Sequence, residues 1–281
     1  MTISNIFFYY LCNKIKNMML GTYEINNIYN IDCVKGMKQL PDECIDLVVT
    51  SPPYDNLRDY NGYKFDFENI AKELFRVMKK GGVVVWVVGD KIKNGDRSLT
   101  SFKQAIYFQE IGFKVHDSMI YQKKNTPFMR SNAYTNCYEF MFVFSKEKVK
   151  TFNPLKTNTA RNGFEKLVAN KKADGVNKKV LGELKKEKTR TNIWSYAVGL
   201  GGSTRDKIAF QHTAIFPEKL ALEHILSWSN EGDIVFDPMC GSGTTCKMAK
   251  ISNRNFIGMD ISKEYTELSI KRLEMTPPQL F

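Results

Sequence analysis

Histidine is scarce: three in 281 residues. The six cysteines are scattered and form no Cys-x-x-Cys pair. Together these absences argue against a conventional structural zinc site, and no metal centre is predicted. Unpaired thiols fit a reducing compartment, so the predicted location is cytoplasmic. No apolar run is long enough to cross a bilayer, and no membrane partner is predicted. The longest near the start, Ile6-Phe7-Phe8-Tyr9-Tyr10-Leu11-Cys12, has its lysines, Lys14 and Lys16, after it rather than before it. That order makes a poor signal peptide. Residues 1–21 read as an appendage and 276–281 as a tail.

Acids are also in deficit. Hydrophobic residues at 43% and charged residues at 25% are ordinary, but the net charge is +11. Residues 146–210 hold sixteen lysines and arginines against six acids, a surplus that accounts for nearly all of it. The segment has little periodicity. It reads either as a solvated insertion or as a lobe that faces nucleic acid through phosphate contacts.

Outside that segment the patterning is regular. Short β-branched runs at 25–31, 45–49, 83–88, 113–122, 138–145, 234–236 and 256–259 alternate with amphipathic stretches at 33–40, 69–80, 98–111, 217–229, 247–252 and 264–273. The pair Gly81-Gly82 is the expected stop for the second of those helices. Such alternation predicts an α/β fold with a parallel, doubly wound sheet. Its halves are 22–145 and 211–275, with the basic region 146–210 between them.

Two strand tips carry chemistry. The first is Thr50-Ser51-Pro52-Pro53-Tyr54. Adjacent prolines stiffen the backbone and remove N–H donors, leaving the Ser51 hydroxyl and the Ser51 and Pro52 carbonyls as acceptors. With the Tyr54 ring beside them, these suit a planar base that carries an amine. A rigid turn without chemistry is the competing reading. The second tip is Asp237-Pro238-Met239-Cys240-Gly241-Ser242-Gly243-Thr244. Strand, glycine loop and helix form a nucleotide-binding layout, and Asp260, about 20 residues on, is placed to accept from ribose hydroxyls. The third glycine of the dinucleotide fingerprint is missing. An acid at the loop entrance suits a cationic amine better than a pyrophosphate, which favours S-adenosyl-L-methionine over NAD.

These stretches resemble the motifs of the amino-group DNA methyltransferases. Residues 236–245 resemble the cofactor motif and residues 50–54 the catalytic motif. Gln211-His212-Thr213-Ala214-Ile215-Phe216-Pro217-Glu218-Lys219-Leu220 resembles the segment before the cofactor motif, and Ile257-Gly258-Met259-Asp260 with Tyr265 and Arg272-Leu273 the segment after it. Their order, catalytic motif then basic region then cofactor motif, is that of the circularly permuted β group. The resemblance implies a Rossmann-like S-adenosylmethionine-dependent methyltransferase fold. Its sheet would have seven strands, mostly parallel with one antiparallel, and residues 146–210 would be an inserted target-recognition region. It implies that Ser51, Pro52, Pro53 and Tyr54 are catalytic. Phe216, Pro217, Asp237, Pro238, Gly241, Gly243, Thr244 and Asp260 would hold the cofactor. Asp32 either reaches the cofactor or caps the helix that follows it.

The implied activity is sequence-specific methylation of double-stranded DNA, with DNA, a homodimer partner and a cognate restriction endonuclease as candidate partners. In the family it resembles, serine at the position of Ser51 is typical of enzymes that act on the N4 amine of cytosine, and an acid or asparagine of those that act on the N6 amine of adenine, so the resemblance favours cytosine N4 over adenine N6. Methylation of cytosine C5 needs a thiolate nucleophile, and no Pro-Cys pair exists. Cys240 reads as a small packing residue. Two alternatives remain: a DNA-binding protein that keeps the fold without catalysis, and a methyltransferase that acts on RNA or on a small molecule, the last disfavoured by the basic insertion. Arg58, Asp59, Tyr60 and Tyr63 lie either in a loop that closes over the DNA or in plain surface, Lys123, Lys124 and Arg130 either contact phosphates or are ordinary exposed bases, and Trp194 either anchors the basic lobe or, the safer reading, packs within it.

Overall fold

The computed structural model describes residues 18–53, 65–126, 131, 133–159, 168–171, 177–180 and 185–277. One eight-stranded sheet dominates. Its strands in chain order are β1 (Asn27–Asn30), β2 (Ile45–Thr50), β3 (Met78–Val88), β4 (Lys114–Lys123), β5 (Tyr138–Ser145), β6 (Ile193–Tyr196), β7 (Ile234–Asp237) and β8 (Asn255–Asp260). Across the sheet they run β6-β4-β5-β3-β2-β7-β8-β1. Only β5 is antiparallel to its neighbours β3 and β4. The helices are α1 (Cys33–Met37), α2 (Phe67–Val77), α3 (Thr100–Glu110), α4 (Glu218–Trp228), α5 (Thr244–Ile251) and α6 (Lys263–Glu274).

The expected sheet is therefore present, with one strand added. The addition, β6, comes from within the basic region and pairs in parallel with β4, Trp194 opposite Tyr121. The sequence Ile193-Trp194-Ser195-Tyr196 alternates, and Trp194 and Tyr196 are buried while Ile193 is exposed. A four-residue strand inside a lysine-rich segment gives too little periodic signal to stand out. The compact unit separate from the sheet is narrower than the compositional segment, covering Pro154–Thr191. It contains two antiparallel pairs, Lys156–Asn158 with Glu187–Thr189 and Val168–Lys171 with Asn177–Val180.

Val83 to Val88 are fully buried, as a central strand covered on both faces requires. Val84, Trp86 and Val88 face a core built with Ile70, Leu74 and Val77 of α2 and Phe108 of α3. Each such side chain contributes about 1.5–3 kcal/mol on leaving water. The Trp86 indole N–H would be costly in that core, and it donates to Gln104 Oε1 at 2.8 Å.

Helix α2 ends before Gly81-Gly82. Its C-cap, Met78, is already extended and pairs with Ile45, and the register then slips so that Leu47 faces Val83. The glycines serve that irregularity within β3: Gly81 sits at φ +81°, a left-handed conformation with little steric cost for glycine. No helix among the described residues is long and apolar enough to cross a membrane.

Candidate active site

Strands β2, β7 and β8 are parallel neighbours, so their C-terminal tips emerge along one edge. From β2 come Ser51, Pro52 and Pro53. From β7 comes the loop 238–243, and from β8 comes Asp260. The two stretches that the sequence places 187 positions apart are thereby brought side by side, and they are bonded: Thr50 Oγ1 donates to Asp237 Oδ1 at 2.8 Å. Thr245 Oγ1, at the start of α5, donates back to the Val49 carbonyl at 2.9 Å.

The loop turns on its glycines. Gly241 and Gly243 have φ of +50° and +73°. At Gly241 a Cβ would come within 2.7 Å of His212 Nε2, so only a bare backbone lets the imidazole lie over the loop. Asp260 then fastens it. One carboxylate oxygen accepts from Gly241 N at 2.8 Å and the other from Ser262 N at 2.9 Å.

Between these tips lies a cleft of about 620 Å³. Ser51, Pro52, Pro53, Phe216, Pro238, Gly241, Thr244 and Asp260 all line it. Four other expected residues are not part of its lining. Asp32 caps α1, accepting from Lys35 N at 2.9 Å. Pro217 is the buried N-cap residue of α4. Gly243 is packed on Ser269. Asp237 is 1% exposed and turned toward Thr50 and its own loop, where Met239 N donates to it at 3.2 Å. Tyr54 and the loop residues Arg58, Asp59, Tyr60 and Tyr63 lie outside the described residues, as does Arg130.

The far wall was missed by the sequence reading. Because β5 is antiparallel, it begins at the edge where β4 ends. Tyr121 and Lys123 of β4 therefore meet Glu139 of β5 in the same cleft, with Asn136 just before it. Lys123 does not stand free for a phosphate; its Nζ lies 2.5 Å from Glu139 Oε1. Such residues carry no motif, and the only available signal was a cluster of polar side chains at two strand ends. His212 and Tyr265 also line the cleft, their rings 4.2 Å apart.

Burial sets the electrostatics. It pushes the Asp237 carboxyl up to about 6, against the opposing hydrogen bonds from Thr50 and Met239 N. Burial also raises the Asp260 carboxyl, with the Ser262 and Gly241 amides pulling it down. The Cys240 and Cys246 thiols are pushed well above their ordinary range by the same cause. They are protonated packing groups, not nucleophiles.

The chain's DNA methylase match spans residues 45–271, most of its length. It is 55% identical over 244 residues to the orphan methyltransferase M.BamHII of Bacillus amyloliquefaciens, covering 85% of this chain and 92% of that one. In fold it is similar to the PvuII DNA methyltransferase (cytosine-N4-specific), with a TM-score of 0.64 and 20% identity over 87% of this chain and 85% of that one. It is likewise similar to TTHA0409 of Thermus thermophilus complexed with S-adenosyl-L-methionine, at a TM-score of 0.60 and 21% identity over 90% and 97% of the two chains. With its strand-end proline tip and glycine loop joined at one cleft, the chain belongs to the N6/N4 DNA methylase family, the methyltransferases that act on exocyclic amines of DNA bases.

Proposed function

We propose that this methyltransferase modifies the N4 amine of cytosine in a base rotated out of double-stranded DNA. The observation that carries the reading is the Ser51-Pro52 tip opening into the same cleft as the glycine loop.

The residues on the cleft wall fit S-adenosyl-L-methionine: a bare-backbone turn at Gly241, a carboxylate at Asp260 for ribose hydroxyls, and the Phe216 ring. When bound there, the cofactor supplies a methyl group activated by a positively charged sulfur. The protein's own work is on the amine. An exocyclic amine is a weak nucleophile because its lone pair is delocalised into the ring. Ser51 Oγ and the Pro52 carbonyl accept its two N–H hydrogens, which draws the nitrogen toward tetrahedral geometry and localises the pair. Neither group is a strong base, and neither needs to be: the amine becomes acidic once methylated. Tyr54 stacks on the rotated base. Holding the two reactants in line is the main source of rate. The basic region 146–210 supplies phosphate contacts, which fix the duplex without reading its sequence.

Serine at position 51 supports cytosine over adenine. The test is to methylate duplex DNA of varied sequence, digest it to nucleosides and identify the product by mass spectrometry. N4-methylcytosine is expected. N6-methyladenine would overturn the base assignment, and no methylated nucleoside at all would favour a silent DNA-binding protein.

A further inference from the structure

Thr50 closes a strand whose preceding residues, Leu47, Val48 and Val49, are apolar and fully buried. Thr50 is equally buried, at 0% exposure, so valine would fit its space. A hydroxyl there is costly unless it is bonded, and burying the Asp237 carboxylate beside it is costlier still. The two groups satisfy each other at 2.8 Å.

Their place in the sheet gives the pair a consequence. The paired positions between β2 and β7 are Leu47 with Val235 and Val48 with Phe236. The junction between the two functional tips lies beyond that short ladder. There the link is made by side chains: Thr50 to Asp237, and Thr245 to the Val49 carbonyl. Asp237 also accepts from Met239 N, so one carboxylate ties the last residue before Ser51 to the cofactor loop. The other titratable groups that face it are Asp260 and the thiols of Cys240 and Cys246.

We propose that Thr50 is a positioning residue for methyl transfer: its hydroxyl, anchored on Asp237, sets the spacing between the Ser51-Pro52 acceptors and the glycine loop. The inference rests on the reading of Ser51 and Pro52 as the amine acceptors. It departs from the expectation that Asp237 contacts the cofactor, because that side chain does not reach the cleft.

The experiment compares Thr50→Val, which keeps the shape and removes the donor, with Thr50→Ser, which keeps the donor. Single-turnover methyl transfer, equilibrium affinity for S-adenosyl-L-methionine and melting temperature are read for each. Misplacement of reacting groups by a fraction of an ångström to an ångström lowers rates by about 10- to 100-fold. Thr50→Val is expected to lose transfer rate in that range with cofactor affinity within about twofold of the parent, and Thr50→Ser to recover to within about threefold. Thr50→Ala carries the comparison if the valine variant does not fold. Unchanged single-turnover rates in the donor-less variants would overturn the positioning role. So would equal losses in Thr50→Val and Thr50→Ser, or a loss that appears as weakened cofactor binding. An active parent with an unaffected Thr50→Val variant refutes this inference alone. A parent that transfers no methyl group to DNA refutes the functional reading, and the positioning role with it.

Discussion

Arg272, on the closing helix α6, donates from Nη1 to the Ser242 carbonyl at 2.9 Å and so holds the glycine loop from behind. The arginine is 1% exposed. Its remaining nitrogens pair with Asp206 Oδ2 at 2.8 Å and Glu218 Oε1 at 2.5 Å, and Lys247 meets both acids at 2.6 Å. One buried guanidinium thus joins the loop, α4 and the 3-10 turn after Asp206.

Removing the arginine from this cluster leaves Lys247 alone to balance two carboxylates, so one negative charge is uncompensated, at a cost of up to about 3–5 kcal/mol. Arg272→Met is expected to lose that much stability in urea unfolding at pH 7. Burial pushes the Asp206 carboxyl up, but the bonds from Lys247 and Arg272 outweigh it and hold the carboxyl below its ordinary value. A depressed carboxylate contributes stability above the unfolded-state value, and that contribution is lost as pH falls through the folded one. The gap between parent and variant should therefore narrow below about pH 4. A gap that widened on acidification would contradict this account of the cluster.

Asp237 has the opposite sign. Burial lifts its carboxyl from 3.8 to about 6, so ionising it in the folded state is unfavourable. The raised group contributes stability below pH 4 that is lost as pH rises through 6. A rise of that size corresponds to roughly 3 kcal/mol. Replacing Asp237 with asparagine removes the titration. Melting temperatures of parent and Asp237→Asn, measured from pH 4 to pH 8, should show the parent losing ground between about pH 4 and pH 6 and holding a constant difference above that. A flat difference throughout would mean that the carboxyl titrates normally.

What was legible in the sequence was whatever repeats with a short period or sits at a strand tip. The buried run Val83–Val88 announces a central strand because no polar residue interrupts it. Ser51, Pro52, Gly241 and Asp260 could be placed near one another because parallel strands deliver their ends to one edge. Besides the far wall of the cleft, three things escaped. The end of α2 was set by the pairing of Met78 with Ile45, a contact 33 residues distant, rather than by the nearest glycines. Strand β6 was hidden by the charge around it. The orientation of Asp237 depended on Thr50, 187 positions earlier, and local sequence does not say which way a strand-end acid turns.

Asp260 tests the cofactor side of the cleft. Both of its carboxylate oxygens accept backbone N–H groups, from Gly241 and Ser262. Asparagine offers one acceptor and one N–H donor, so an amide would face an amide at one of the two positions. Hydrogen bonds to charged groups are worth about 1.5–3 kcal/mol, which is about 10- to 100-fold in affinity. Asp260→Asn is expected to weaken S-adenosyl-L-methionine binding by that factor in equilibrium titration, and the turnover lost should be recovered at saturating cofactor. Turnover that stayed low at saturation would place the residue in the chemical step instead.

Ser51 tests the other side. Removing one hydrogen-bonding group that acts on developing charge typically lowers turnover by about 100-fold or more. Ser51→Ala is expected to do so while leaving cofactor affinity within about twofold of the parent, because the glycine loop and Asp260 are untouched. The Pro52 carbonyl remains, so one of the two N–H hydrogens is still accepted and the activity should be reduced rather than abolished. Unlike loss at Asp260, this loss should persist at saturating cofactor and saturating DNA. Wild-type turnover in Ser51→Ala would show that the serine hydroxyl does not touch the amine.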